Sequence, residues 1–198
     1  MDFADTRGNG DFEVRPRYIC CHPNAKGTGT SVKFELHPAH GHVEGSVFAT
    51  FASQKTVASY SGGMQMHPTF DWGNSVTIRL TVNEVAEMLE VFRGYREKMG
   101  DGKGLFHVSE FANTVITLEH RLDPDPGYFF GVSRKRADGS LVRMRLFLSM
   151  TEAIVLSEAL ASSMLYMAFG IPKVIPRAER QGERGSRRPA SVKEAAVA

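Results

Sequence analysis

Cysteine is scarce in this sequence: among 198 residues there are only two, Cys20 and Cys21, and they are adjacent. Adjacent cysteines rarely bridge each other without strain, and two thiols do not make a disulfide framework. The sequence therefore predicts reduced thiols. A hydrophobic content of 42% over this length is sufficient for one large core, which favours a single domain.

Long apolar runs are also missing, and no uninterrupted apolar segment reaches the length of a membrane span. The first residues lack the basic-then-apolar order of a secretory signal. They are acidic, Met1-Asp2-Phe3-Ala4-Asp5, whereas organelle transit peptides are rich in arginine and serine. The expectation is a cytoplasmic protein, most simply a bacterial one, without a membrane partner.

Strong net charge is absent, because the chain carries only +2 at neutral pH. Residues 173–198 hold seven basic and three acidic side chains, so the remaining body is slightly acidic. Such a body is not typical of a protein held to nucleic acid by charge alone. Residues 173–198 have almost no apolar periodicity and are predicted to be a basic disordered tail, either a solvated extension or a nucleic-acid arm.

No constellation typical of catalysis stands out. The glycines of Lys98–Gly104 follow a predicted helix instead of preceding one, so this segment is interpreted as a connecting loop, not a phosphate loop. His37, His40 and His42 could be metal ligands, with His22 or a cysteine nearby, but polar residues collect at such turns and the usual zinc-enzyme spacing is missing. The prediction is a protein that is not an enzyme, with no catalytic residue, metal or cofactor, although the histidine cluster stays an open alternative.

The most informative feature that is present is an internal repeat. A shift of 68 residues places Leu80-Thr81-Val82-Asn83-Glu84 on Leu148-Ser149-Met150-Thr151-Glu152. Both segments leave an alternating strand and enter a helix through a capping box, in which a hydroxyl and a glutamate three residues later satisfy free backbone amides.

Alternation and turn residues predict the same order of elements before each cap. In the first copy, strands are predicted near Ser31–His37, Gly45–Ala52, Met64–Phe70 and Ser75–Leu80, with a helix from Val82 to about Met99. In the second, strands are predicted near Asn113–Leu122, Tyr128–Lys135 and Leu141–Leu148, with a hairpin at Asp138-Gly139 and a helix from Met150 to about Phe169. The expected fold is α+β, one domain made of two antiparallel β-meanders that each end in a helix. Its expected limits are an extension at 1–25, a domain at 26–172 with repeats at about 26–99 and 104–170, and the tail at 173–198.

Several segments resemble the Whirly family of single-stranded DNA-binding proteins. Phe70-Asp71-Trp72, followed by a strand that ends Arg79-Leu80-Thr81-Val82-Asn83-Glu84, is similar to that family's Tyr-Asp-Trp segment and Leu-Ser-Val-Thr-Glu helix entry. Leu122-Asp123-Pro124-Asp125-Pro126-Gly127-Tyr128-Phe129-Phe130 resembles its Pro-Asp-Gly turn into a His-Phe-Phe strand, and Gly170-Ile171-Pro172 resembles its final helix end. The similarity runs in order from about Lys26 to Pro172. It implies a bacterial-type member of the Whirly and Pur-alpha-like superfamily.

The predicted binding surface lies on the open sheet faces. Alternation places Met144, Leu146 and Leu148 on a dry face and Arg143, Arg145 and Phe147 on the other. Unpaired bases stack on aromatic rings or arginine planes, while lysine and arginine follow the phosphates. The predicted nucleic-acid contacts are Lys33, Arg79, Arg134, Lys135, Arg143, Arg145 and Phe147. Weaker candidates, because most of the 13 phenylalanines must be buried, are Phe48, Trp72, Tyr128, Phe129 and Phe130.

The expected function is binding of single-stranded DNA or RNA, with DNA favoured and little sequence preference. The alternative is a transcription cofactor or protein-interaction module on the same scaffold, without strong affinity for nucleic acid. The second helix is apolar on most sides, including Leu160 and Met164, so it either packs inside the monomer or joins subunits. Whirly-like proteins are tetramers assembled through helices, and the resemblance therefore implies a homotetramer.

Overall fold

The computed structural model describes residues 15–171, so residues 1–14 and the predicted basic tail lie outside the described part of the chain. Within it, two antiparallel sheets and two helices follow one another along the sequence. The first sheet contains, in spatial order, β1 (Arg17–His22), β2 (Thr30–His37), β3 (Ser46–Thr56) and β7 (Val76–Leu80), and α1 (Val82–Phe92) follows it. A short hairpin of β4 (Ser59–Ser61) and β5 (Met64–Met66) and a short strand β6 (Thr69–Phe70), which pairs with the end of β3, lie between β3 and β7.

The second sheet repeats this plan. Its strands β8 (Leu105–Val108), β9 (Ala112–Arg121), β10 (Gly127–Arg136) and β11 (Leu141–Ser149) pair with their sequence neighbours, and α2 (Met150–Phe169) follows. Each repeat is therefore a four-stranded meander that ends in a helix, and the α+β fold predicted from the sequence is confirmed.

Both helices begin at the predicted capping boxes. The Thr81 hydroxyl accepts a hydrogen bond from the backbone amide of Glu84, with 3.4 Å between oxygen and nitrogen. The Glu84 carboxylate accepts one from the backbone amide of Thr81 at 2.8 Å. Ser149 and Glu152 form the same pair of bonds, at 3.3 and 2.9 Å. These bonds satisfy amides that a helix leaves free in its first turn, which is why the two segments can be recognised in the sequence.

Several element limits differ from the prediction. Helix α1 ends at Phe92 instead of near Met99, because Gly94 takes a left-handed φ of 74° that ends helical pairing. The predicted strand Met64–Phe70 is split into β5 and β6. Strand β8 was not predicted at all.

Strand β1 lies in the segment that the sequence analysis placed in an N-terminal extension. It pairs along its whole length with β2, from Arg17 opposite Glu35 to His22 opposite Thr30. Its polar and apolar residues alternate only weakly, so the sequence pattern does not indicate it. The turn that joins the two strands is fixed by Gln54, whose side-chain oxygen accepts the amides of Asn24 and Gly29 at 2.8 and 3.0 Å.

The core lies where the inner sheet faces meet the two helices, which also pack against each other. Its centre is aromatic, with the Phe130 ring 5.6 Å from that of Phe34 and 4.9 Å from that of Phe51. Phe130 and Tyr128 are buried, so these two weaker candidates for base stacking belong to the core.

Helix α2 is 20 residues long with a mean hydropathy of 1.3 in its most apolar window. By length and composition it could cross a membrane, although Glu152 and Glu158 interrupt its apolar residues, so the expectation that no uninterrupted apolar run is that long still holds. The core helix of a globular protein can have the same length and composition, and Leu156, Leu160 and Met167 of α2 are buried in the core.

Two histidine–glutamate contacts join the repeats, each between the first strand of one repeat and the helix of the other. His22 of β1 hydrogen-bonds to Glu152 of α2 through Nε2 and Oε1, at 2.7 Å, and His107 of β8 makes the matching bond to Glu84 of α1. Each capping glutamate is thus held by the first strand of the other repeat. Burial opposes ionisation of both carboxyl groups, but hydrogen bonds from these histidines and from the capping residues outweigh it and lower the pKa of Glu84 and Glu152.

This arrangement predicts a loss of stability in acid. Because both carboxyl groups have a lower pKa in the folded state, their contribution is present above the unfolded value of about 4.3 and is lost as pH falls through the folded pKa. Urea unfolding at several pH values in this range measures the effect. As pH falls, the free energy of unfolding should decrease less steeply in the double variant Glu84→Gln/Glu152→Gln than in the native protein. The exposed Glu158→Gln should keep the native dependence, and an equally steep fall in the double variant would contradict this account.

Candidate nucleic-acid interface

The open face of the second sheet brings together most of the predicted contact residues. The pairing of β10 with its neighbours places Phe129 between Glu119 and Phe147, and Gly131 between Thr117 and Arg145. The next row along the strands holds Val115, Ser133 and Arg143, and the one beyond it holds Asn113, Lys135 and Leu141. The other face of these strands carries buried residues such as Met144, Leu146 and Leu148, so the predicted division into a dry and an open face is confirmed.

An aromatic cluster stands at one end of this face. The rings of Phe129 and Phe147 are 5.2 Å apart between centroids and tilted by 58°. The Arg145 guanidinium lies 3.8 Å from the Phe129 ring centroid, and that of Arg121 lies 5.3 Å from it. We call these four residues the aromatic platform. Its arginines and rings offer flat surfaces of the kind on which unpaired bases stack.

A groove of about 280 Å³ lies on one side of the platform. Its lining includes the hydroxyl groups of Thr117 and Ser133 and the side chains of Arg143 and Arg145. Gly131 forms the floor, and a side chain there would press on Thr117, because an added Cβ would lie 3.0 Å from its Oγ1. We call this space the central groove; its hydroxyl and guanidinium donors suit a phosphate group.

A second groove, of about 240 Å³, lies on the other side of the platform. The β9–β10 loop supplies Asp123, Pro124 and Asp125, and the platform supplies Arg121 and both phenylalanines. We call it the loop groove. The central groove is thus lined by arginines without carboxylates, whereas the loop groove is lined by two carboxylates and one arginine.

The cations of this face differ in how firmly they are held. Arg145 forms an ion pair with Glu119 at 2.6 Å, and Lys98 approaches the same carboxylate at 3.5 Å. The side chains of Arg143 and Lys135 make no hydrogen bond or ion pair with any residue between 15 and 171. These two charges are therefore available for a ligand at little internal cost.

The first sheet has an equivalent but weaker arrangement. Glu35, Phe48 and Arg79 lie in one row across β2, β3 and β7, as Glu119, Phe129 and Phe147 do in the second sheet. The ring of His37 packs on Phe48 at 4.4 Å between centroids. The sequence repeat thus extends to the open faces.

The predicted contacts of the first sheet have partners of their own. Lys33 pairs with Glu35 at 3.2 Å, and Arg79 donates to the Glu44 carbonyl at 3.2 Å. Trp72, a weaker candidate, is half-exposed in a short 3-10 turn before β7. No group of three or more histidine, cysteine, aspartate or glutamate side chains within residues 15–171 is placed to hold a metal ion.

Arg134 is the predicted contact that the structure removes from the open face. It lies opposite Thr114 and Val142, on the side of β10 that carries the core residues. Its Nε donates to Thr114 Oγ1 at 2.9 Å, and its Nη2 donates to the Thr77 carbonyl of the first sheet at 2.7 Å. Burial, and secondarily the charge of Arg136, lower its pKa. Arg134 therefore bridges the two sheets. The sequence analysis grouped it with the other charges of the hairpin and did not determine on which face of β10 its side chain lies.

We therefore expect Arg134→Met to act on stability. Loss of hydrogen bonds from a charged donor should reduce the free energy of unfolding by about 1–3 kcal/mol. The exposed Arg143→Met removes the same charge without an internal partner and should stay within about 0.5 kcal/mol of the native value. Equal stability of the two variants in urea unfolding would show that the bridge contributes nothing.

Sequence reasoning missed part of the site. Arg121, Thr117, Gly131 and the two loop aspartates were not predicted, and Phe129 was only a weaker candidate. Each becomes recognisable only when the register of β9 and β10 is known, because that register sets which residues are opposite one another.

Comparison with known proteins shows the class of fold. No protein-family model and no curated protein sequence matches this chain. Among solved structures, WHY1 from Arabidopsis thaliana superposes with a TM-score of 0.64 at 16% identity, over 79% of this chain and 87% of that one. The plant transcriptional regulator PBF-2 gives 0.61 at 18% identity, over 78% and 83%. The chain has the Whirly fold.

A guide-RNA-binding protein complex bound to a guide RNA is a more distant structural neighbour. It superposes with a TM-score of 0.53 at 16% identity, over 78% of this chain and 92% of that one. At such identities the likeness concerns the fold alone.

Proposed function

We propose that this protein binds single-stranded nucleic acid across the open face of the second sheet, without catalysing a reaction. The observation that carries the proposal is the aromatic platform with the central groove beside it. Bases would stack on Phe129 and Phe147, while phosphates would contact Arg143 and the hydroxyl groups of the central groove. Lys135 would extend the cationic path along the strand.

The geometry favours single strands for a physical reason. In a duplex the base faces are stacked on one another, and only their edges and the phosphates can be reached. The described part of the open face offers flat rings and few charges free of internal partners, so stacking must supply much of the affinity. The names of two structural neighbours, a transcriptional regulator and a guide-RNA-binding complex, are consistent with a nucleic-acid ligand. From the Whirly resemblance we propose that the ligand is DNA in preference to RNA. We also propose that the protein is a member of that family of single-stranded DNA-binding proteins.

Fluorescence-anisotropy titration tests the proposal. Labelled oligothymidylate, the matching oligouridylate and a duplex of mixed sequence would be titrated with the full-length protein at two salt concentrations. We expect the single strands to bind more tightly than the duplex, with DNA ahead of RNA. Equal affinity for the duplex would contradict stacking, and no binding to any strand would favour a protein-interaction module.

The phosphate contacts predict the salt dependence. Each phosphate contact on a single strand contributes about 0.7 to the slope of log affinity against log salt. The double variant Arg143→Ala/Lys135→Ala should therefore have a slope shallower by roughly twice that amount. The pair Arg93→Ala/Lys55→Ala removes the same charge from the end of α1 and from β3 of the first sheet, and it should leave the slope nearly unchanged. The same loss of slope in both variants would mean that only total charge matters.

The proposal includes a homo-oligomer joined through α2, with a tetramer implied by the Whirly resemblance. Ile154, Leu165 and Phe169 of α2 are 61%, 58% and 82% exposed, although all three are large and apolar. Exposed apolar surface on one helix face is typical of a subunit contact. Leu160, in contrast, is only 2% exposed, and Met164 packs against the core, so of the two alternatives left open by the sequence these residues follow the one in which they pack inside the monomer.

A further inference from the structure

The loop groove differs from the central groove in its balance of charge, because it is lined by two carboxylates and one arginine, Arg121. Asp123 and Asp125 line it beside the rings of Phe129 and Phe147. Neither carboxylate forms a hydrogen bond or an ion pair with any residue in the described range 15–171. Their oxygens are therefore free to accept hydrogen bonds from a ligand that enters the groove.

This charge distribution gives a bound nucleotide one favourable orientation. The two carboxylates of the loop groove outnumber its one arginine, Arg121, so the groove disfavours a phosphate. The central groove on the far side of the platform attracts a phosphate through Arg143 and the hydroxyl groups of Thr117 and Ser133. A nucleotide that places its phosphate in the central groove and crosses Phe129 would place its base edge in the loop groove. Base edges carry hydrogen-bond donors, which ionised carboxylates require because they can only accept.

The four bases differ in the donors that they offer to a carboxylate. Guanine presents an imino and an amino donor side by side, which match the two oxygens of one carboxylate. Adenine and cytosine present an amino donor next to a ring acceptor. Thymine and uracil present one imino donor between two carbonyl oxygens, which carboxylates repel.

We propose that the loop groove reads one base of the bound strand and selects guanine against thymine or uracil. This inference rests on the proposed function and adds a base preference at one position to a surface that otherwise stacks any base. Asp123 and Asp125 are the specificity-determining residues, and the aromatic platform holds the base in plane with them.

Matched oligonucleotides and variants test the inference. Equal-length oligothymidylate and a repeating TTG deoxyoligonucleotide would be titrated in lithium buffer, which disfavours four-stranded guanine structures. We expect the TTG strand to bind roughly tenfold more tightly, within the range for one bidentate base contact. A repeating TTI strand, in which inosine lacks the amino group, should lose most of this advantage.

The double variant Asp123→Asn/Asp125→Asn should bind oligothymidylate at least as well as the native protein and lose the preference for TTG. Asp101→Asn, in an exposed loop elsewhere, should keep that preference, and unchanged melting temperatures would show that both variants fold. Equal affinity of the native protein for TTG and oligothymidylate would overturn the inference while leaving the proposed function in place. A preference that survives in the double variant would also overturn it, and failure to bind either strand would refute both proposals.

Discussion

Replacing Phe129 and Phe147 together by alanine should weaken single-strand binding more than any change of charge on the open face. Stacking of one base on an aromatic ring is worth about 1–3 kcal/mol, so the loss of affinity should be roughly fivefold to a hundredfold for each stacked base. No charge is removed, and the slope of affinity against salt should therefore stay as in the native protein. Anisotropy titration with oligothymidylate at several salt concentrations measures both quantities.

This variant needs two controls: the replacement of an aromatic residue elsewhere, and a measurement that the double variant is folded. Tyr60→Ala removes a ring that is 76% exposed on the β4–β5 hairpin, and it should bind as the native protein does. Phe129 and Phe147 are half-buried, so the melting temperature of the double variant must be shown to remain near the native value. Native affinity in a folded double variant would exclude the aromatic platform as the stacking site.

Charges placed on the exposed face of α2 should convert the proposed oligomer into smaller species. We expect the triple variant Ile154→Glu/Leu165→Glu/Phe169→Glu to stay folded, since all three side chains are exposed in the monomer. Its molar mass by light scattering should fall, because charged side chains cannot be buried unpaired in a subunit contact. Circular dichroism would confirm that the helices persist.

Leu160→Glu provides the contrasting control for α2. Its side chain is buried in the core, so this variant should unfold or aggregate instead of dissociating. An unchanged molar mass in the folded triple variant would contradict the proposal that subunits meet on this face of the helix.

The repeated plan of the fold could be predicted from the sequence because local chemistry determines it. The capping boxes at Thr81 and Ser149 depend on residues only three positions apart, and alternation along β11 directly shows which side chains are buried. These signals place both helix starts and most strands. They also identified Arg143, Arg145 and Phe147 as neighbours on an exposed face.

The remaining features depend on contacts between distant parts of the chain. Strand β1 has little alternation of its own and is defined by pairing with β2, while the side of β10 on which Arg134 lies is defined by its register with β9 and β11. The loop groove likewise requires the β9–β10 connection to meet Phe147 of β11. Such juxtapositions carry no local pattern, so sequence periodicity alone could not reveal them.

Photocrosslinking of a bound single strand tests the central claim most directly. An oligothymidylate that carries a photoreactive pyrimidine would be irradiated in complex with the full-length protein, and the modified residues would be identified by mass spectrometry. The account predicts adducts on the peptides that contain Phe129 and Phe147. Adducts confined to α2 or to residues 173–198 would contradict binding on the open face of the second sheet.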